Sequence, residues 1–245
     1  MVSRYNILKV PIRKQPNDTS CGPTCLHTVY QHYGDIFSLS RTIREVKKVK
    51  HGGTLAVHLG IHALKQGYKA TIYTYNINVF DPTWFSLSKH ELIKKLKKQA
   101  RAKTGKKKIL ANTLASIEFL EKGGSYRFEE LSPMLLGSYL RRGIPIITGL
   151  SATYLYDCPR EIQKTGRSDD VLGTPTGHFV VLCGYDPFKR KAVVADPFPH
   201  EPDTKKRIYE ASIYTVTSAI MLGILTHDAN ILIIEPKEKK KKQSL

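Results

Sequence analysis

The hydrophobic pattern of this chain changes period near Gly143, and that change limits the folds open to it more than any other feature. Before it, apolar residues recur at helical spacing. Leu26, Val29, Tyr30 and Tyr33 share one face of a helix predicted to start near Cys21, with Ser20 as N-cap, and to end at Gly34. Ser40 to Val49 follows, with Ile43, Val46 and Val49 inward, and Thr54 to Gln66 resumes after the Gly52-Gly53 break. Ser88 and Glu91 have the spacing of a capping box, with Leu92 and Leu96 behind them on one face. Ile109 to Lys122 and Ser132 to Gly143 are the last helices of this half, and a single strand, Lys69 to Tyr75, interrupts it. After Gly143 the runs are short and β-branched. Pro145 to Leu150, His178 to Tyr185 and Lys191 to Ala195 read as strands, with a turn at Asp186 to Arg190. Tyr209 to Leu225 reads as strand then helix, and Asn230 to Ile234 as a buried terminal strand. Helices followed by an antiparallel sheet make an α+β chain. The expectation is a single domain over residues 1–235, a helical lobe of roughly 18–143 packed on a sheet lobe of roughly 144–235, with a cleft between them.

Composition narrows the function. Apolar residues make up 41% of 245, enough for a core. The net charge of +18 suggests a nucleic acid or an anionic membrane as partner, but its distribution weakens that inference. Residues 89–108 carry +9 and residues 237–245 carry +4, so the other 216 residues hold only +5. Residues 89–108 contain no Phe, Tyr or Trp to stack on bases, so no specific nucleic-acid recognition is expected. What remains is an acidic or polyanionic partner for the Lys-rich helix and for a disordered basic tail at 236–245. The first sixteen residues lack the apolar run of a secretory signal, and Ala219 to Leu225 is far too short to span a bilayer. The expected location is cytoplasmic, where four cysteines stay reduced.

The chemistry concentrates in Gln15-Pro16-Asn17-Asp18-Thr19-Ser20-Cys21-Gly22-Pro23. A cysteine in the first turn of a helix meets unpaired N–H groups and the positive end of the dipole, which favour its thiolate, the nucleophilic form. Gly22 is expected to keep the surroundings open. Gln15, six residues upstream, can turn an amide N–H toward the carbonyl oxygen that Cys21 would attack, completing an oxyanion hole with the Cys21 backbone N–H. His178 opens the strongest strand signal and is the candidate base. Asp196 ends the paired strand, so a hairpin turning near Lys189 brings it to the same end of the sheet, where it can accept an N–H from His178.

Gln15, Asp18, Cys21, Gly22 and Pro23, followed by Gly177-His178 and Ala195-Asp196-Pro197, resemble the papain-like cysteine peptidases. Within them the chain is similar to stand-alone relatives of the bacteriocin leader-processing (double-glycine) peptidases. The resemblance spans most of the chain. It implies a papain-like fold with Cys21 on the helix and His178 and Asp196 on the sheet, a peptide or protein substrate, and no metal or organic cofactor. Peptide or amide hydrolysis through an acyl-enzyme is the expected reaction. Two alternatives are a papain-like transpeptidase, in which an amine replaces water, and a non-catalytic binding module recruited to an anionic partner by the basic helix and tail.

The remaining candidates have simpler readings. Cys25 and Cys183 read as core thiols, and Cys158 is given no role. His58 and His62 sit at i, i+4 but lack a third zinc ligand. Asp18 and Asp186 read as turn formers, and His227-Asp228 as a turn before the last strand rather than a second base.

Overall fold

A computed structural model describes residues 7–49, 53–198, 206–226 and 228–237. The helices are α1 (Cys21–His32), α2 (Leu39–Glu45), α3 (Ala56–Lys65), α4 (Lys89–Ala102), α5 (Lys107–Glu121), α6 (Pro133–Arg141), α7 (Ala152–Leu155) and α8 (Ile213–Leu222). The strands are β1 (Tyr68–Thr74), β2 (Ser125–Arg127), β3 (Ile146–Ser151), β4 (Glu161–Ile162), β5 (Arg167–Ser168), β6 (Gly177–Asp186), β7 (Lys191–Ala195), β8 (Ile208–Ser212) and β9 (Asn230–Pro236). Seven strands form one sheet in the order β2-β1-β9-β3-β6-β7-β8, antiparallel throughout except for the parallel pair β1–β2. The α+β class stands.

The sheet is not confined to residues 144–235. Its β2–β1 edge comes from the part of the chain read as the helical lobe. β9 explains this: its run Ile231 to Ile234 is buried, and it pairs with β3 on one side and with β1 along seven residues on the other. The late strand therefore ties the early one into the sheet. β2 is only three residues long, too short to leave a periodic signal in the sequence.

Helices cover the sheet where their apolar stripes require it. α1 lies on β6, α3 on β1 and β9, and α8 on β3. The capping box at Ser88 and Glu91 is formed in full, and Leu92 and Leu96 bury against Ile117 and Leu120 of α5, with Val79 and Phe80. The basic helix is thus anchored by its apolar face, and Lys97 pairs with Glu121 at 2.8 Å. α2 stops at Glu45, short of the predicted Val49, because Val46 turns extended and is itself buried. No helix among the described residues is long and apolar enough to cross a membrane. Most of the basic tail, residues 238–245, lies outside the described residues, as do Gly52 and His227.

Candidate active site

Cys21 is the first residue of α1, as the sequence predicts, and is 8% exposed. The local reason differs from the expected one. The Ser20 side chain does not cap the helix; its hydroxyl donates to the Asn17 carbonyl at 2.8 Å. Asn17, not Asp18, builds the turn, its Oδ1 accepting from the Thr19 N–H at 3.1 Å and the Thr19 hydroxyl at 2.9 Å. With the cap turned away, the first N–H groups of α1 have no side-chain acceptor from the N-cap, the arrangement a helix start needs to receive a developing negative charge. Gly22 does not leave open space. A Cβ there would lie 2.6 Å from Thr54 Cγ2, just before α3, and 3.2 Å from the Phe179 ring of β6, so glycine lets α1 pack close to both. Cys25, one turn on, is fully buried and donates to the Phe179 carbonyl at 3.2 Å.

His178 is the second residue of β6, opposite Leu150 of β3, and its Nε2 lies 2.8 Å from Asp196 Oδ1. A bulge produces this pairing. From Asp186↔Lys191 to Gly184↔Val193 the β6–β7 register is regular, and Cys183 is then skipped, so that Leu182 faces Val194 and Val181 faces Ala195. Continued one residue further, the shifted register sets Asp196 opposite Val180, on the same face as His178 and diagonal to it. Without the extra residue Asp196 would stand opposite Val181 and point to the other face, since a one-residue slip reverses every side chain.

With Nε2 directed at Asp196, Nδ1 is the ring nitrogen left for Cys21. Burial works against charge on His178, but hydrogen bonds to Asp196 and Cys21, and their negative charges, outweigh it and push the imidazole up to about 10. Burial likewise opposes the Asp196 carboxylate. The bond and charge of His178, the Tyr156 hydroxyl and the Phe198 N–H reverse that and hold it below the usual carboxylate range. Two groups here left no mark in the sequence. The hydroxyls of Tyr156 and Tyr209 donate to Asp196 Oδ2 at 2.6 and 2.9 Å. Tyr156 is the residue after α7, where no period in the sequence marks an inward side chain. Tyr209 lies in β8 opposite Val194, and only the strand register reveals its reach.

Gln15 is buried at 7% exposure, and its backbone N–H is held by the Pro197 carbonyl at 3.0 Å, beside Asp196. Its Nε2 donates to the Asn17 carbonyl at 3.1 Å, which fixes the amide and leaves the second N–H of that nitrogen for another acceptor. Phe198 stands at the mouth of the site, 46% exposed, its ring 6.4 Å from the His178 ring.

The other candidates are accounted for. His62 accepts or donates between Tyr30 (2.9 Å) and Glu45 (3.2 Å), and no cluster of metal-ligating side chains occurs among the described residues. Cys183 is buried and Cys158 exposed, and no cysteine is paired. Asp186 accepts from the Phe188 and Lys189 N–H groups, as a turn former does. Asp228 accepts from the Ala56 N–H at 3.1 Å, at the start of α3, and from the Asn230 amide at 3.1 Å, and it lines a small polar cavity with Thr74, Asn76 and Tyr126.

A C39-like peptidase from Bacillus anthracis superposes with a TM-score of 0.52 at 15% identity, covering 96% of this chain and 98% of that one. The peptidase domain of Streptococcus ComA, a bi-functional ABC transporter of a quorum-sensing pathway, gives 0.43 at 14% identity over 94% and 99%. A double-glycine-motif protease from an AMS/PCAT transporter, solved with a leader peptide, gives 0.43 at 16% over 96% and 97%. A search of curated protein sequences returns no match. Residues 7–219 match the Peptidase_C39 like family, and the chain therefore belongs to that family of cysteine-class peptidases.

Proposed function

We propose that the protein hydrolyses peptide or amide bonds through an acyl-enzyme formed on Cys21. The observation that carries this reading is the His178–Asp196 contact of 2.8 Å beside a cysteine at the start of a helix. Membership of a peptidase family supports a peptide as substrate.

In the first half-reaction the Cys21 sulfur attacks the carbonyl carbon. Negative charge moves to the carbonyl oxygen, where the Cys21 backbone N–H and the free N–H of Gln15 Nε2 stabilise it. His178 then gives its Nδ1 proton to the leaving nitrogen as the C–N bond breaks, leaving a thioester. In the second half-reaction His178 takes a proton from water, the hydroxide attacks the thioester, and the Cys21 sulfur departs as thiolate. Asp196 keeps Nε2 protonated and Nδ1 aimed at sulfur throughout.

The test is incubation of the wild type and of Cys21→Ala with a mixed peptide library, read by mass spectrometry. New peptide termini with the wild type alone, together with a transient acyl mass on the Cys21 peptide, are expected. Identical peptide mixtures from both proteins would overturn the reading. Added amine incorporated into the products in place of water would show a transpeptidase.

A further inference from the structure

Asp196 is held by more donors than aligning one imidazole requires. Its Oδ1 meets His178 Nε2 at 2.8 Å and accepts the Phe198 N–H at 2.8 Å. Its Oδ2, the oxygen turned away from His178, takes two phenol hydroxyls, Tyr156 at 2.6 Å and Tyr209 at 2.9 Å. The phenols come from separate elements, the turn after α7 and strand β8, and the carboxylate between them is 0% exposed. A buried tyrosine that merely satisfies its own hydroxyl can use any nearby carbonyl. Two of them converging on the far oxygen of one carboxylate fix its rotation about Cβ–Cγ, and so fix where Oδ1 points.

We propose that Tyr156 and Tyr209 are positioning residues that clamp Asp196 Oδ2 so that Oδ1 stays aligned on His178 Nε2; this rests on the peptidase reading of Cys21, His178 and Asp196. The clamp has an electrostatic side. The titratable and charged groups around Asp196 are His178 from β6, Cys21 and Cys25 from α1, Tyr156, Tyr209, and Arg207, which accepts the Asp196 N–H through its carbonyl. Burial alone would protonate the carboxylate, and a neutral Asp196 would lose much of its hold on the imidazolium. The two phenols are themselves kept protonated by burial and by the Asp196 charge, so both remain donors across the working pH range. The segment from α7 to β6 is thereby coupled to the site: the Ala152 N–H bonds to the Thr176 carbonyl and the Thr176 N–H to the Thr153 hydroxyl, which pins the base of the loop that carries Tyr156 beside His178.

The experiment uses Tyr156→Phe, Tyr209→Phe and the double variant, each read in two ways. Carbon-13 titration of the Asp196 carboxyl, assigned against Asp196→Asn, reports the clamp without needing turnover. The acid limb of Cys21 alkylation by iodoacetamide reports its effect on the nucleophile. Each lost phenol is expected to raise the carboxyl midpoint by about one pH unit, the size of a hydrogen bond to a charged group. The acid limb should move up with it. A purely structural role predicts lower thermal stability with the midpoint and limb unmoved, and that result overturns the proposal. So does a midpoint that moves while the limb stays. A wild-type Cys21 that reacts no faster than free cysteine sinks the peptidase reading instead, and the carboxyl titration then decides the clamp alone. If one single variant does not fold, the other carries the test.

Discussion

Asp196 faces His178 because Cys183 is an extra residue in the strand that carries His178. The 2.8 Å contact between Nε2 and Oδ1 depends on a one-residue shift of register inside the β6–β7 hairpin, not on the hairpin alone. Deleting Cys183 should therefore restore the regular register and turn Asp196 to the opposite face. The expected result is a reaction rate at Cys21 as low as that of Asp196→Ala. Cys183→Ala, which keeps the chain length, should react as the wild type does. Rates of Cys21 alkylation in the three proteins, each first shown to be folded by circular dichroism, check this.

Replacing Asp196 with Asn keeps the shape and removes the charge. Without it His178 loses the largest of the influences that oppose burial, so its pKa should fall from about 10 toward or below its ordinary value. The orientation of the ring also loses its specification, because an amide can donate to Nε2 as well as accept from it. Peptide hydrolysis should drop, mainly in kcat, but by less than the ~10⁴-fold that the same change causes in a serine triad, because a thiolate needs less help from a base than a hydroxyl does. A steady-state comparison of kcat and KM with the wild type is the check.

Gln15→Ala removes one of two proposed oxyanion donors. The loss should be roughly 10²–10³-fold in kcat with little change in KM, because the donors act on charge that develops only in the transition state. A variant that raises KM and spares kcat would assign Gln15 to substrate binding instead.

Gly22→Ala should destabilise the fold by about 1–3 kcal/mol, the usual cost of overpacking. The added methyl would sit 2.6 Å from Thr54 Cγ2. Thr54→Ser removes that methyl while keeping the hydroxyl bond to the Lys47 carbonyl. The double variant should recover part of the loss, and urea denaturation of the four proteins of the cycle measures it.

Asp228 gives the fold a pH dependence near neutrality. Burial raises its pKa from the ordinary 3.8 to about 7, against the Ala56 N–H and Asn230 amide bonds that favour the charged form. The folded state thus holds a proton that the unfolded state releases at lower pH. The stability this contributes is complete below the unfolded value and is lost as pH rises through about 7. Between pH 5 and pH 8 the stability of the wild type relative to Asp228→Asn, which keeps an acceptor for Ala56, should fall by an amount on the order of 2–4 kcal/mol, the other titrating groups being common to both proteins. Urea titrations of the two proteins at the two pH values measure this difference.

Much of this arrangement is legible in the sequence, and the parts that are not share a cause. Cys21 at a helix start, the Gly177–Asp186 strand and Asp196 at the end of its partner are local features, each carried by a capping position, a β-branched run or a turn. The capping box of Ser88 and Glu91 is visible for the same reason. The bulge at Cys183 changes no residue type, so nothing in the sequence marks it. Tyr156 and Tyr209 reach Asp196 from 40 and 13 residues away, and only the tertiary fold brings their hydroxyls together. β1 joined the sheet through β9, at the far end of the chain, which order along the sequence could not show. Gly22 looked like open space and is close packing, since a glycine in the sequence does not say what lies against it.

His178, held by Asp196, is proposed to activate Cys21. The direct measurement is the rate of Cys21 labelling by iodoacetamide near pH 6, repeated with a smaller alkylating agent, in the wild type and in His178→Ala. Stoichiometric labelling of Cys21 that is fast in the wild type and at least tenfold slower in His178→Ala is the predicted result. Equal rates in the two proteins, or a wild-type thiol no faster than free cysteine with either reagent, would contradict it.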